Sequence, residues 1–132
     1  MKTHTNVMKK QPWYLDEKLI LLSLLLSFNA YSDCLDNAIT TTAMVACYET
    51  QLEIEEQKLD DMLNKAYKKS DWIAYEIEQS QKYWLQYRDA QCSAIYSFYE
   101  RGTMRFIAHP SCMVELSKQR QKEIYTSFVK DW

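Results

Sequence analysis

Glycine is almost missing from this chain, with one residue in 132. Phosphate-binding loops and dinucleotide fingerprints need several glycines for close backbone approach, so both are excluded. Tight hairpins of the Asn-Gly kind are absent too, which argues against a fold of β-hairpins. Proline occurs twice, leaving long stretches in which nothing interrupts a helix. There is no Cys-x-x-Cys pair and there are two histidines, one of them in the first four residues, so the usual zinc spacing is lacking and no metal or other cofactor is expected. An excess of positive charge is lacking as well. Sixteen Lys and Arg face 18 Asp and Glu, and the basic residues form no stripe, which disfavours a nucleic-acid partner.

What is present is rich in Leu, Glu, Gln, Lys, Ala and Met, the residues that lose least rotamer freedom in a helix. The composition predicts an all-α protein. Residues 1–32 are read as a signal peptide: Leu19 to Phe28 is an apolar run behind Lys9, Lys10 and Lys18. At about 1.5 Å per residue the run covers half of a roughly 30 Å hydrocarbon core, so no stable membrane anchor is expected. Ala30 and Ser32 place small residues for cleavage before Asp33, and Met8 is an alternative start. The expected product, residues 33–132, is one periplasmic or secreted domain that keeps all four cysteines, Cys34, Cys47, Cys92 and Cys112. An even count in a small exported chain predicts two disulfides. Three pairings are open, and helix order favours Cys34 with Cys47 and Cys92 with Cys112.

Hydrophobic period predicts a small antiparallel bundle of about three helices. The first runs from about Thr41 to Lys69, with Val45, Tyr48, Leu52, Leu59, Met62, Leu63, Ala66 and Tyr67 near one face, interrupted at Glu55 and Glu56. The second runs from Asp71, read as its N-cap, to Tyr99, with Tyr75, Glu78, Gln81, Trp84, Leu85, Arg88 and Cys92 on one stripe. Arg101-Gly102 breaks the pattern. After a loop from Glu100 to Ser111, a third helix runs to Val129, with Val114, Leu116, Ile124 and Phe128 inward and Pro110 at its N-terminal edge.

Charge divides the exported part: residues 33–81 carry four Lys against 11 acids, and residues 82–132 carry eight basic residues against five. Glu49, Glu53, Glu56 and Asp61 read either as a solvated helix face or as a surface that steers a cationic partner. For catalysis the sequence offers little. His109 lies near Cys112, but an oxidised cysteine is no nucleophile, and no third partner is identifiable.

Several pieces occur in a telling order: Asp33-Cys34 with Cys47 thirteen positions on, then Asp60-x-x-Leu63-Asn64-x-x-Tyr67, then Gln81-Lys82-x-Trp84-Leu85-x-Tyr87-Arg88-Asp89-Ala90-x-Cys92, then Cys112-x-x-x-Leu116-Ser117-x-x-Arg120. From Asp33 to about Ile124 the chain resembles the LprI-type lysozyme-inhibitor family of small exported helical proteins. Ser117 stands where Thr is usual, and the loop before the last Cys has only Gly102 where relatives often carry consecutive glycines. The resemblance implies a non-enzyme whose partner is a lysozyme-like muramidase or another peptidoglycan-cleaving protein. Immunity against a delivered wall-degrading toxin and an envelope interaction domain are the alternatives.

Physically, most motif residues read as structural. Asp60, Leu63, Asn64 and Tyr67 share one helical face and are expected to meet the second helix, with Arg88 pairing to Asp60 or Asp89 and with Asn64 and Gln81 completing the hydrogen bonds. Trp84 and Tyr87 read as core anchors first and binding aromatics second, and Arg120 belongs with this structural set. The expected target-contact surface is the loop, through Arg101, Gly102, Thr103, Met104, Arg105, Phe106 and His109.

Overall fold

The computed structural model describes residues 34–131, so the signal peptide and its cleavage point lie outside the described residues. One helical turn at 34–37 precedes helix α1 (Thr41–Lys69). A 3-10 turn (Asp71–Ile73) leads into α2 (Ala74–Phe98), and α3 (Met104–Ile124) ends in a π turn (Tyr125–Val129). No strand occurs among the described residues. Both disulfides join neighbours in sequence, Cys34 to Cys47 and Cys92 to Cys112, with Cα atoms 6.0 and 5.6 Å apart.

Helix α1 begins where Thr40, in extended conformation, accepts a hydrogen bond at Oγ1 from the Ala43 amide at 3.1 Å. It ends at Ser70, whose amide donates to the Ala66 carbonyl at 2.9 Å, with Lys68 and Lys69 beside the negative end of the helix dipole. Asp71 does not cap α2 as expected. It opens the 3-10 turn, and the α-helix starts three residues later without a side-chain cap.

The largest departure from expectation is the start of α3. The loop expected from Glu100 to Ser111 shrinks to the few residues between Phe98 and Met104, and Pro110 lies inside the helix, not at its edge. Proline lacks the amide that would bond the Phe106 carbonyl, a defect local propensity reads as a helix boundary. Tertiary contacts override it here. Cys112 is tied to α2, the Phe106 and Tyr96 rings meet edge-on at 6.0 Å, and Pro110 itself is buried.

Helix α3 is the central element. It packs along α1 and along α2, whereas the α1 and α2 backbones approach each other at few points. The apolar core lies towards the end of α1 and is built from Leu59, Leu63, Ala66, Ile77 and Ile124, with Met62, Tyr67, Ile73, Trp84, Phe128 and Val129 against it. Each large member stabilises the fold by about 1.5–3 kcal/mol. Because α1 packs on α3, the predicted α1 face turns differently: Leu63 is buried, but Asp60 and Asn64 are exposed and do not meet α2. On α2 the inward positions are Ile77, Arg88 and Cys92, while Tyr75 and Leu85 of the expected stripe are exposed, and so is Tyr87, which faces away from α3 instead of anchoring the core. The chain end returns to α1: Lys69 donates to the Val129 carbonyl at 2.6 Å and pairs with Asp131, and Ser70 Oγ donates to the Phe128 carbonyl at 3.4 Å.

Candidate functional site

A layer of buried polar groups sits beside the apolar core and sets the α2–α3 hairpin against α1. Its centre is Glu55, which follows Cys47 and Gln51 at four-residue steps and therefore points inward. Gln51 Nε2 and Lys58 Nζ donate to its carboxylate at 2.5 and 2.9 Å, and Gln121 Nε2 of α3 donates to both the carboxylate and the backbone carbonyl at 2.8 and 2.9 Å. Burial pushes the Glu55 carboxyl up, but the bonds from Gln121, Lys58 and Gln51, with the Lys58 charge, outweigh it and hold the group below its ordinary value. The sequence pattern treated Glu55 as a break in the apolar face. The row of inward positions 47, 51, 55, 59 and 63 was the signal that would have placed it.

Two arginines extend this layer. Arg88 donates to Glu56 at 2.8 Å, to the buried Ser117 hydroxyl at 3.2 Å and to Asp89 at 3.4 Å. Its partner on α1 is thus Glu56 and not Asp60, one turn earlier than the sequence suggested. Arg120 donates to Gln81 at 3.0 Å, Ser80 at 2.8 Å and Glu123 at 3.2 Å. Both guanidinium groups approach the Trp84 ring, at 5.3 and 5.7 Å from its centroid. Tyr67 lies close by. Burial raises its phenol pKa, Glu78 and Asp60 add to the rise, and Arg120 opposes it.

At the far end of the hairpin the chain turns through backbone bonds from Glu100 to the Ser97 carbonyl, from Gly102 to the Tyr99 carbonyl and from Phe106 to the Thr103 carbonyl, at 3.1–3.2 Å. Gly102 has no positive φ, and a Cβ there would meet nothing nearer than the Met104 amide nitrogen at 3.9 Å. The turn does not require glycine. Arg101 is the outermost charge, with 95% of its side chain exposed and Glu100 at 3.8 Å. It stands over a shallow hollow of about 420 Å³ whose walls include Phe98, Tyr99, Gly102 and Met104.

Arg105 behaves differently from its neighbour in the expected contact set. It donates to the Glu100 carbonyl at 3.1 Å and packs over the Tyr96 and Phe106 rings, at 5.2 and 4.8 Å, so it braces the turn. Thr103 and Met104 remain exposed at the tip. His109 faces sideways, edge-on to Tyr96 at 6.1 Å, into a second hollow of about 330 Å³ that Val45, Glu49 and Leu52 of α1 close from the other side.

The acidic residues of α1 divide as well. Glu49, Glu53, Glu56 and Asp60 follow one helical stripe, and Asp61 lies about 100° round from it. Glu53 and Asp61 are exposed, Glu49 lies on the hollow beside His109, and Glu56 is engaged by Arg88. No group of three or more metal-ligating side chains occurs among the described residues, and no described helix is long and apolar enough to cross a membrane.

The family model of lysozyme inhibitor LprI matches residues 33–124, and the chain belongs to that family. The family is one of inhibitors rather than of enzymes, and the two disulfides of this chain agree with an exported protein. No curated protein and no solved structure matches the chain.

Proposed function

We propose that this member of the lysozyme-inhibitor family acts outside the cytoplasm by inserting the tip of its α2–α3 hairpin into the cleft of a lysozyme-like muramidase. The observation that carries the reading is Arg101: a cation at the apex of a short turn, exposed beside apolar walls and braced from below by Arg105, Tyr96 and the Cys92–Cys112 bridge. A muramidase of this kind cleaves with two carboxyl groups flanking the sugar bond. A guanidinium placed between them forms charge-assisted hydrogen bonds and denies the site to substrate. Met104 and Tyr99 supply apolar contact at its side. Because the turn is already ordered, little conformational entropy is lost when it docks. The exposed acids Glu49, Glu53 and Asp61 attract a basic enzyme and raise the association rate more than the final affinity.

The test is turbidity loss of a peptidoglycan suspension by a c-type lysozyme, with and without excess oxidised chain from Asp33 onward, at physiological ionic strength. Suppressed lysis is the expected result, with Arg101→Ala weakening inhibition roughly 10- to 100-fold at unchanged melting temperature. Full lysis in the presence of the folded chain would sink the lysozyme reading and move the target to another wall-cleaving enzyme, such as a delivered toxin. Inhibition that Arg101→Ala leaves intact would remove the tip from the mechanism.

A further inference from the structure

The outer face of α2 carries a row of exposed rings that the core does not use, of which only Phe98, at its end, also borders the hollow at the tip. Trp72 at its start and Tyr75, Tyr83, Tyr87 and Phe98 along it are 76, 68, 65, 54 and 80% exposed. At 100° per residue Tyr75, Tyr83, Tyr87 and Phe98 fall within one side of the helix, opposite the inward positions Ile77, Arg88 and Cys92, and Trp72 precedes them in the 3-10 turn. The residues between them on that side are Gln79, Gln86, Ala90, Ala94 and three serines, with Glu76 the single charge. Aromatic enrichment with charge depletion is the composition of an interface centre. It is not the composition of a solvated helix face.

The order of residues along the face is self-complementary. About a point level with position 85, Tyr83 reflects onto Tyr87 and Trp72 onto Phe98, while Tyr75 falls outside the symmetric set. A two-fold interface requires this property, that one patch fit itself in reverse. The area is sufficient too. At about 150–250 Å² per aromatic side chain, the five exposed rings offer about 500–850 Å² per protomer, against the roughly 800 Å² per partner of a standard stable interface.

We propose that the outer face of α2 is a homodimer interface on which a second copy of this chain docks antiparallel, with Tyr83 and Tyr87 at the two-fold axis. Such a pair carries its hairpin tips at opposite ends and presents two target-binding sites. The inference stands independently of what the tip binds.

Sedimentation velocity of the oxidised chain from Asp33, whose described residues close their own core, reads the mass over a concentration series. A mass twice that of the chain at high concentration is expected, falling to the monomer value for Tyr83→Glu/Tyr87→Glu with the circular dichroism spectrum and melting behaviour of a folded domain. Ala90→Glu, which puts a charge into the middle of the face at an exposed position without removing a ring, is expected to weaken dimerisation about tenfold. A monomer at the highest soluble concentration overturns the proposal, whatever else the aromatic face binds, sugar polymers included. So does a dimer whose mass survives both variants.

Discussion

Arg88 and Arg101 stand on the same hairpin and are held in opposite ways. Arg88 is buried, bonded to Glu56, Ser117 and Asp89 and laid beside Trp84, whereas Arg101 projects almost wholly into solvent with one weak neighbour. The difference lies in what surrounds each. Around Arg88 three helices converge and its Nε and Nη1 donate to Asp89, Glu56 and Ser117, so the charge is tolerated inside and fixes how the helices sit. At the tip the helices have ended, nothing shields the charge, and its interaction free energy stays available for a partner. The interior spends its arginines on orientation, and the tip keeps one in reserve.

The sharpest way to break that contrast is Arg88→Ala. It leaves the fully buried Ser117 hydroxyl unpaired and opens space beside Trp84, so unfolding free energy is expected to fall by about 2–4 kcal/mol, read by thermal or urea denaturation. Inhibition by the fraction still folded is expected to be unchanged. Arg101→Ala is the mirror case, silent in stability and costly in inhibition. Should both variants damage stability alike, the tip is not the open end that its exposure indicates.

Removing the Cys92–Cys112 bridge tests the coupling between the two regions. The bridge spans 20 residues, so Cys92→Ser/Cys112→Ser is expected to cost about 3 kcal/mol through the freed unfolded chain. It also unties α3 from α2 just below the tip, where Pro110 already weakens the helix. Inhibition is therefore expected to drop together with stability, which distinguishes this variant from Arg88→Ala. Titration with peptidoglycan turbidity at a temperature where both variants are folded separates the two.

Acid offers a smaller probe of the same layer. Glu55 is held below its ordinary value near 4.5, so the unfolded chain binds this proton more tightly than the folded one. Its contribution is complete above about pH 5 and is lost as pH falls through and below 4.5. The advantage in melting temperature of the wild type over Glu55→Gln is expected to be largest at neutral pH and to shrink on acidification. Arg101→Ala is expected to follow the wild-type pH profile throughout.

These contrasts also mark what the sequence could disclose. Periodicity placed α1 from Thr41 to Lys69, because an unbroken run of helix formers with Thr40 before it and Ser70 after it carries its own boundaries. It did not place α3, since Pro110 is a local stop signal that only contacts distant in sequence can override. Glu55 was hidden for a related reason: a carboxylate is unfavourable inside until Gln51, Lys58 and Gln121 are assembled around it, and Gln121 lies 66 residues away. The turn with Arg101 was visible, as Arg101-Gly102 interrupts the helical pattern. The different behaviour of Arg105 was not, because its bracing depends on where Tyr96 lies.

Gly102 gives the finest test, since the sequence singles it out and the structure does not need it. Its φ is not positive, and a Cβ would meet only the Met104 amide nitrogen at 3.9 Å, so Gly102→Ala is compatible with the turn. Such a replacement removes freedom from the unfolded chain and is expected to stabilise by about 0.4–1 kcal/mol, a rise of a few degrees in melting temperature. The same position borders the hollow under Arg101, where bulk changes the surface without touching the core. Gly102→Trp is accordingly expected to keep the melting temperature and lose inhibition. A tryptophan that leaves inhibition intact would place the target contact elsewhere on the molecule, while an alanine that unfolds it would show that the turn relies on glycine after all.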